Sequence, residues 1–396
     1  ETAEIELNIE DVKKKFRRTS RVNVFEIWVC KEDIEKAVKT IKGSCPNALT
    51  NVASEEKGDK PPTLMNNPQV AKCYEKLTAA YGLPNYHELD PTLISLLTFP
   101  VIFGLMFGDI GHGLIFLVGG LIIKPLFKKL KITEGMWTYL LQGRVLIISC
   151  GITAIFFGFL YGEFFGPPTN PNNIFGQAWV ALTGLDKPLW FNPLEVEFGG
   201  PLMLLKVALI VGMIQISFGI ILDVINKFSN RQYRKALAPI SWLWFYLSLC
   251  YILLTFLLTP LTLQQVILAP TTIILLVIPL IGMFVLHKLT HDFMEAFSET
   301  IVKAVESLSN TISYSRILAL GIAHIIFSEI ALLTGGFMFW PTFILVTLFM
   351  VLSLEGIITF AHTLRLHWVE WFSKFYGGDG VSFENFTIKR RFTTII

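Results

Sequence analysis

Hydrophobic and polar positions divide the chain near residue 90. Residues 1–90 mix Lys, Glu and Asp with short apolar stretches, whereas from 91 to 373 one long apolar run follows another. In the first part, Val22–Val29 (VNVFEIWV) predicts a strand and Lys31–Lys42 a short helix, together the closing strand and helix of a larger α/β domain. Glu1 opens in what reads as the middle of a domain, so a preceding segment is expected. Residues 43–67, with Gly58, Pro61 and Pro62, read as a linker to a short amphipathic helix near Pro68–Ala80.

A helix that crosses a bilayer needs about 20 apolar residues. Thr92–Ile123 is longer than that and is interrupted at 107–113 (FGDIGHG), which predicts two spans joined by a tight turn at Gly108 and Asp109. Further spans are expected at 137–162, 201–228, 237–258 and 268–287, followed by two unusually long ones at 293–334 and 339–374. The expected fold is an all-α polytopic membrane protein of about eight transmembrane helices, the last two long and tilted, with a small α/β cytoplasmic N-terminal remnant. Its expected divisions are the remnant and linker at 1–60, a pre-membrane segment at 61–90, the membrane domain at 91–374 and a cytoplasmic tail at 375–396.

Composition agrees with this pattern: 53% of residues are hydrophobic and 16% charged, and the mean hydropathy is +0.56, beyond the balance of a soluble chain. The net charge of +2 matters less than its distribution. With the N-terminus inside, Lys124, Lys128, Lys129, Lys131, Arg231, Arg234, Lys235, Lys288, Lys389, Arg390 and Arg391 all fall inside, and the outer loops carry little beyond Lys187. Eight spans satisfy that asymmetry; seven would put the basic tail outside. The outer segment Gly166–Gly200, rich in Pro and Asn, reads as a surface loop. Gly104 with Gly108, Gly151 with Gly158, and Gly212 with Gly219 have the spacing of close helix packing. Five cysteines (Cys30, Cys45, Cys73, Cys150, Cys250) form no close ligand pair, so neither disulfide nor zinc framework follows. No GxxxxGK[ST] phosphate loop occurs. No catalytic residue, metal, cofactor or nucleic-acid partner is expected.

The ionisable residues within the spans are the most informative. A charge at the bilayer centre costs roughly 2.5–3.5 kcal/mol, so it persists where it has a partner or a task. Arg144 and Lys206 lie near span ends and can snorkel, and Asp223 can pair with Lys227 one turn on. On the seventh span, Glu295, Glu299 and Glu306 occupy the inner half, Arg316 the middle, and His324 and Glu329 the outer half. Glu306 and His324 lie about 15 Å and about 12 Å from Arg316 along a helix. The eighth span carries Glu355, His362, Arg365, His367 and Glu370; His362 and Arg365 share a face and His367 points elsewhere. Counted from the connection, Arg365 lies roughly 10 Å deeper than Arg316, so pairing of the two requires tilt or curvature. A structural ion-pair network is one reading. The other is an ion path, in which Glu and His exchange protons while a fixed arginine blocks their passage.

Four stretches, Phe99–Gly113 (FPVIFGLMFGDIGHG), Phe157–Gly166 (FGFLYGEFFG), Ser309–His324 (SNTISYSRILALGIAH) and Leu354–Gly380 (LEGIITFAHTLRLHWVEWFSKFYGGDG), closely resemble subunit a, also called subunit I, of V-type and archaeal A-type ATPases. The resemblance covers about residues 61–380, and 22–42 resembles the end of that family's cytoplasmic N-terminal domain. It implies that Arg316 is the stator arginine facing the carboxylate of a rotating proteolipid c-ring, with Arg365 as its partner. It also implies that His324, Glu355 and His362 line the outer half-channel and Glu306 the inner one, with Asp109 and His367 supporting. Val302 departs from the eukaryotic pattern, which has an acid there; Glu299 or Glu306 is expected to take its place. Peripheral-stalk and central-stalk subunits and membrane lipid are the other implied partners. SYSRILALGIAH and short outer loops point to an archaeal or bacterial cell membrane. Two rivals remain open: a secondary ion-coupled transporter and a structural anchor.

Overall fold

The computed structural model describes residues 2–14, 16–18, 22–53, 59–130, 137–167, 170, 173–184, 188–193, 199–258, 270–288, 292–332 and 339–383. The chain is mostly helical and divides into two compact units.

The smaller unit comprises residues 1–64, 83–86 and 379–396. Its helix α1 (Thr2–Lys14) precedes an antiparallel ribbon of β1 (Arg17–Arg18) and β2 (Asn23–Val24), and α2 (Ile34–Ser44) follows a 3₁₀ turn. The strand expected over 22–29 is therefore only two residues long. Among the described residues β2 pairs with Arg17–Arg18 alone, and Phe25, Ile27 and Trp28 beyond it are exposed.

The larger unit comprises residues 65–82 and 87–378. It runs through α3 (Lys72–Tyr81), α4 (Thr92–Met106), α5 (Ile110–Leu130), α6 (Trp137–Tyr161), α7 (Ile174–Thr183), α8 (Gly200–Ser229), α9 (Tyr233–Leu258), α10 (Pro270–Lys288), α11 (Phe293–Ser313), α12 (Arg316–Ala331), α13 (Phe339–Leu345) and α14 (Gly356–Arg365). Among the described residues, six helical runs are long and apolar enough to cross a membrane: 142–161, 200–229, 233–257, 270–288, 293–331 and 340–374. Two shorter apolar helices cover 92–106 and 110–126. The chain is an integral membrane protein. The α4–α5 turn falls at 107–109 as expected, and Asp223 and Lys227 pair at 2.8 Å.

Helix α8 is the pillar. Its Leu204, Ala208, Met213, Ile216 and Ile220 are buried against Trp242 and Tyr246 of α9, and against Tyr314 and Ile317. Glycines let the backbones approach: a Cβ on Gly158 would lie 2.4 Å from the Ile110 nitrogen, and one on Gly212 would lie 2.5 Å from the Tyr314 ring.

Three expectations need correction. Gly166–Gly200 contains α7, because Asn173 caps its first turn: the side chain accepts from Gly176 N at 2.8 Å and donates to the carbonyls of Phe164, Gly166 and Pro167. The seventh span is two helices with a break at Tyr314–Ser315, where amides bond three residues back instead of four. The break sits in Ser309–Ser315 (SNTISYS), whose hydroxyl and amide side chains compete for the backbone. The eighth span alternates geometry, with π turns at Val346–Glu355 and Leu366–Trp371 on either side of α14.

Candidate functional site

Arg316 is the first residue of α12, immediately after the break. Its Nη1 donates to Glu370 Oε1 at 3.0 Å and its Nη2 to Ser313 Oγ at 3.2 Å. Glu370 is buried, whereas the Arg316 side chain keeps 21% of its surface exposed. That exposed part meets an open groove of about 500 Å³ lined by Val305, Leu308, Ser309, Ile312, Ser313 and Ser315. The break has a visible cause. Tyr314 is drawn fully inward over Gly212, and its hydroxyl donates to Gln215 Oε1 at 3.0 Å. One turn and two turns earlier, Thr311 and Ser307 hydrogen-bond Tyr246 and Trp242 of α9. The inward face of α11 is thus fixed by polar contacts, while Val302, Val305 and Ile312 face outward.

Arg365 is exposed and has no ion-pair or hydrogen-bond partner among the described residues. Arg316 takes Glu370 as its ion-pair partner, while Arg316 and Arg365 both act electrostatically on His362. The register explains why. From His324 to Arg316 is eight residues, but their partners Glu355 and Glu370 are fifteen apart. Wide π turns take more residues to cover the same depth than an α-helix does, and the long arginine side chain takes up the rest. Glu370 stands on the eighth span in the sequence, where it carried no assigned role. His362 is half-buried, its Nδ1 has no hydrogen-bond partner, and it lies within electrostatic reach of both arginines.

On the C-terminal side of Arg316 along α12 lies a second group, wholly buried. His324 Nδ1 donates to Glu355 Oε1 at 2.9 Å. Asp109 caps α5, accepting from His112 N at 2.9 Å, and its carboxylate also accepts from the successive amides of Phe165 (3.1 Å) and Gly166 (2.8 Å). Phe165 has φ of 52°, a conformation bulky residues rarely adopt; here it aims its N–H at Asp109. His112 Nδ1 lies 3.2 Å from Asp109 Oδ1, and the His112 and His324 rings meet edge to face at 5.3 Å. Glu163 is 1% exposed and neither of its carboxylate oxygens has a hydrogen-bond partner. His112 and Glu163 received no assignment from the sequence, although both stand in the stretches that carry the family resemblance.

Toward the other end, Glu306 receives Lys303 Nζ at 3.0 Å and Lys374 Nζ, and the two ammonium groups lie over the Trp242 ring at 4.2 Å and 5.2 Å. Glu299 lies 3.4 Å from His287 Nε2 of α10. His367 is fully buried against α4, with Nδ1 donating to Thr363 O and Nε2 bonded to Thr98 Oγ1, both at 2.9 Å. Both its nitrogens are satisfied, which makes it a packing residue that ties α14 to α4. Before the first apolar helix, burial raises the Cys73 thiol above its ordinary value and keeps it protonated.

The sequence profile of the V-type ATPase 116 kDa subunit family matches residues 12–191 and 285–388. Among curated relatives, the A-type ATP synthase subunit I of Methanocaldococcus jannaschii is 29% identical over 97% of this chain and 58% of its own length. The V-type proton ATPase 116 kDa subunit a 3 of Caenorhabditis elegans is 24% identical over 96% of this chain and 62% of its own. The V-type proton ATPase subunit a1 of Arabidopsis thaliana is 26% identical over 83% and 53%. The chain spans between half and two thirds of the length of these relatives. On the profile match, which covers most of the chain, this protein belongs to the V-type ATPase 116 kDa subunit family.

Proposed function

We propose that this chain is the ion-conducting stator subunit of a rotary V/A-type ATPase, with two half-paths for H⁺ or Na⁺ separated by the fixed charge of Arg316. The observation that carries the reading is Arg316 itself: anchored on one side by buried Glu370 and open on the other to a groove with outward apolar residues. A carboxylate on a ring helix passing that groove would meet a cation that cannot be deprotonated, which favours its ionised form and releases its ion. His324, Glu355 and His362 line the outer path. On the inner side Glu306 is the candidate, and Glu299 with His287 provides a second polar step. Two lysines hold Glu306, so we assign it to setting the field at the inner mouth rather than to passing protons by itself. Asp109 and His367 support the site by fixing α5 and α14; Arg365, exposed beside His362, adds positive charge to the barrier.

In this reading the chain crosses the membrane eight times, α4 and α5 included, with both termini cytoplasmic in an archaeal-type cell membrane. Residues 1–60 are the remainder of a cytoplasmic α/β domain, 61–90 a pre-membrane segment, 91–374 the ion-translocating domain and 375–396 a cytoplasmic tail. Its partners are the c-ring, peripheral- and central-stalk subunits and lipid, and ATP chemistry belongs to other subunits. Family membership favours this reading over a secondary transporter or a passive anchor.

The test is ATP-driven ion uptake by reconstituted complex carrying Arg316→Ala. Uptake should vanish while the ring still copurifies. The double variant Arg316→Ala with Glu370→Gln, which leaves no unpaired buried charge, should behave the same way. Uptake at the normal rate in either variant overturns the assignment.

A further inference from the structure

We propose that Asp109, His112 and His324 form a binding site for a divalent transition cation of the zinc type, at the outer end of the buried polar group. One ligand atom from each of the three lies within 4.8 Å of the other two, and the side chains are 0%, 1% and 1% exposed. Nε2 of His112 and Nε2 of His324 have no hydrogen-bond partner, and His112 Nδ1 has only the 3.2 Å approach to Asp109 Oδ1, short of hydrogen-bond geometry. Buried imidazole nitrogens are costly to leave without partners, and these are the atoms a metal would take.

The surroundings have the chemistry of a metal site. His324 presents Nε2 inward because its Nδ1 is held by Glu355 at 2.9 Å, the carboxylate–histidine–metal arrangement that fixes ring orientation and raises ligand basicity. Asp109 is held in turn by three backbone amides. Glu163, with two unpartnered buried oxygens and within electrostatic reach of Asp109 and His324, supplies a fourth ligand or orients a bound water. Three carboxylates around two imidazoles favour a dication. Two nitrogen ligands with one or two oxygens select zinc-type ions over magnesium or calcium, which take all-oxygen shells. Bonds of about 2.0–2.1 Å require ligand atoms closer together than the present spacing; His112, whose ring makes one polar contact, with the ligand Asp109 itself, is the group able to rotate inward.

Occupation would remove His324 from proton traffic, so a bound metal is expected to block the outer path. That consequence rests on the stator reading; the binding does not.

The experiment is a Co²⁺ titration of the chelator-stripped intact complex, read by visible absorption. One equivalent per copy of this chain should give the intense bands of a four-coordinate site. His112→Gln should abolish them, and Glu355→Gln should weaken binding about 10–100-fold through loss of the ring's anchor. His112→Cys should retain binding and add a thiolate-to-metal charge-transfer band, which excludes misfolding as the cause of the glutamine result. His87→Gln should change nothing. Absence of four-coordinate Co²⁺, or bands unchanged in both His112→Gln and His324→Gln, overturns the site and leaves the stator reading untouched. ATP-driven uptake should fall on addition of Zn²⁺ and should be insensitive to it in His112→Gln. Binding at the site with uptake unaffected supports the site and overturns the block.

Discussion

Arg316 and Asp109 occupy comparable settings and are held differently. Arg316 has one buried carboxylate and one hydroxyl, and leaves part of its guanidinium open; Asp109 is fully enclosed, with three amides directed at its carboxylate. Removing that carboxylate strands three amide donors, two of them buried and worth about 1–3 kcal/mol each. Asp109→Ala should therefore lower thermal stability of the detergent-solubilised protein by several kcal/mol, and Asp109→Asn, which keeps one acceptor oxygen, by clearly less. Equal losses in a thermal-unfolding assay would mean that the amides are not what the carboxylate serves. At this scale the sequence was partly legible. Arg316 stood out because a charge so deep is expensive, and His324 and Glu355 were named together through the family resemblance. Glu370 and Glu163 did not stand out: the first is reached through the π turn at Leu366–Trp371 and the length of the Arg316 side chain, and the second because the chain after α6 folds back over Asp109.

At the scale of elements, the site depends on two irregularities. The break at Tyr314–Ser315 starts a new helix at Arg316, and the π turns set Glu355 and Glu370 opposite α12. Apolar periodicity located both spans but gave them as unbroken helices, since a two-residue interruption leaves hydropathy almost unchanged. The Ser/Thr/Asn composition of 309–315 was the available signal. Gly212 makes room for the Tyr314 ring, so Gly212→Ala should displace that ring, cost about 1–3 kcal/mol and reduce ion uptake without preventing assembly. Uptake equal to the parent would show that Arg316 does not depend on the seating of Tyr314. Gly158→Ala forces its methyl against the Ile110 backbone, which cannot yield as a side chain tip can. It should cost a similar about 1–3 kcal/mol, measurable by thermal unfolding, and an unchanged midpoint would argue against the close α5–α6 contact.

For the molecule as a whole, the division into apolar spans and polar connections was the most legible level, because twenty apolar residues have few places to go other than a bilayer. Orientation is a prediction of charge. Single cysteines introduced at Lys235 and at Lys187 should react with impermeant reagents from opposite sides, Lys235 from the cytoplasm; labelling from one side only would remove the eight-span arrangement. The central claim is that Arg316 is a barrier between two paths, and passive leak measures this most directly. Vesicles containing the intact complex, given an imposed ion gradient and no ATP, should hold the gradient with the parent and with Arg316→Lys, and lose it faster with Arg316→Gln. A gradient held equally well by Arg316→Gln, together with undiminished ATP-driven uptake, would contradict the account.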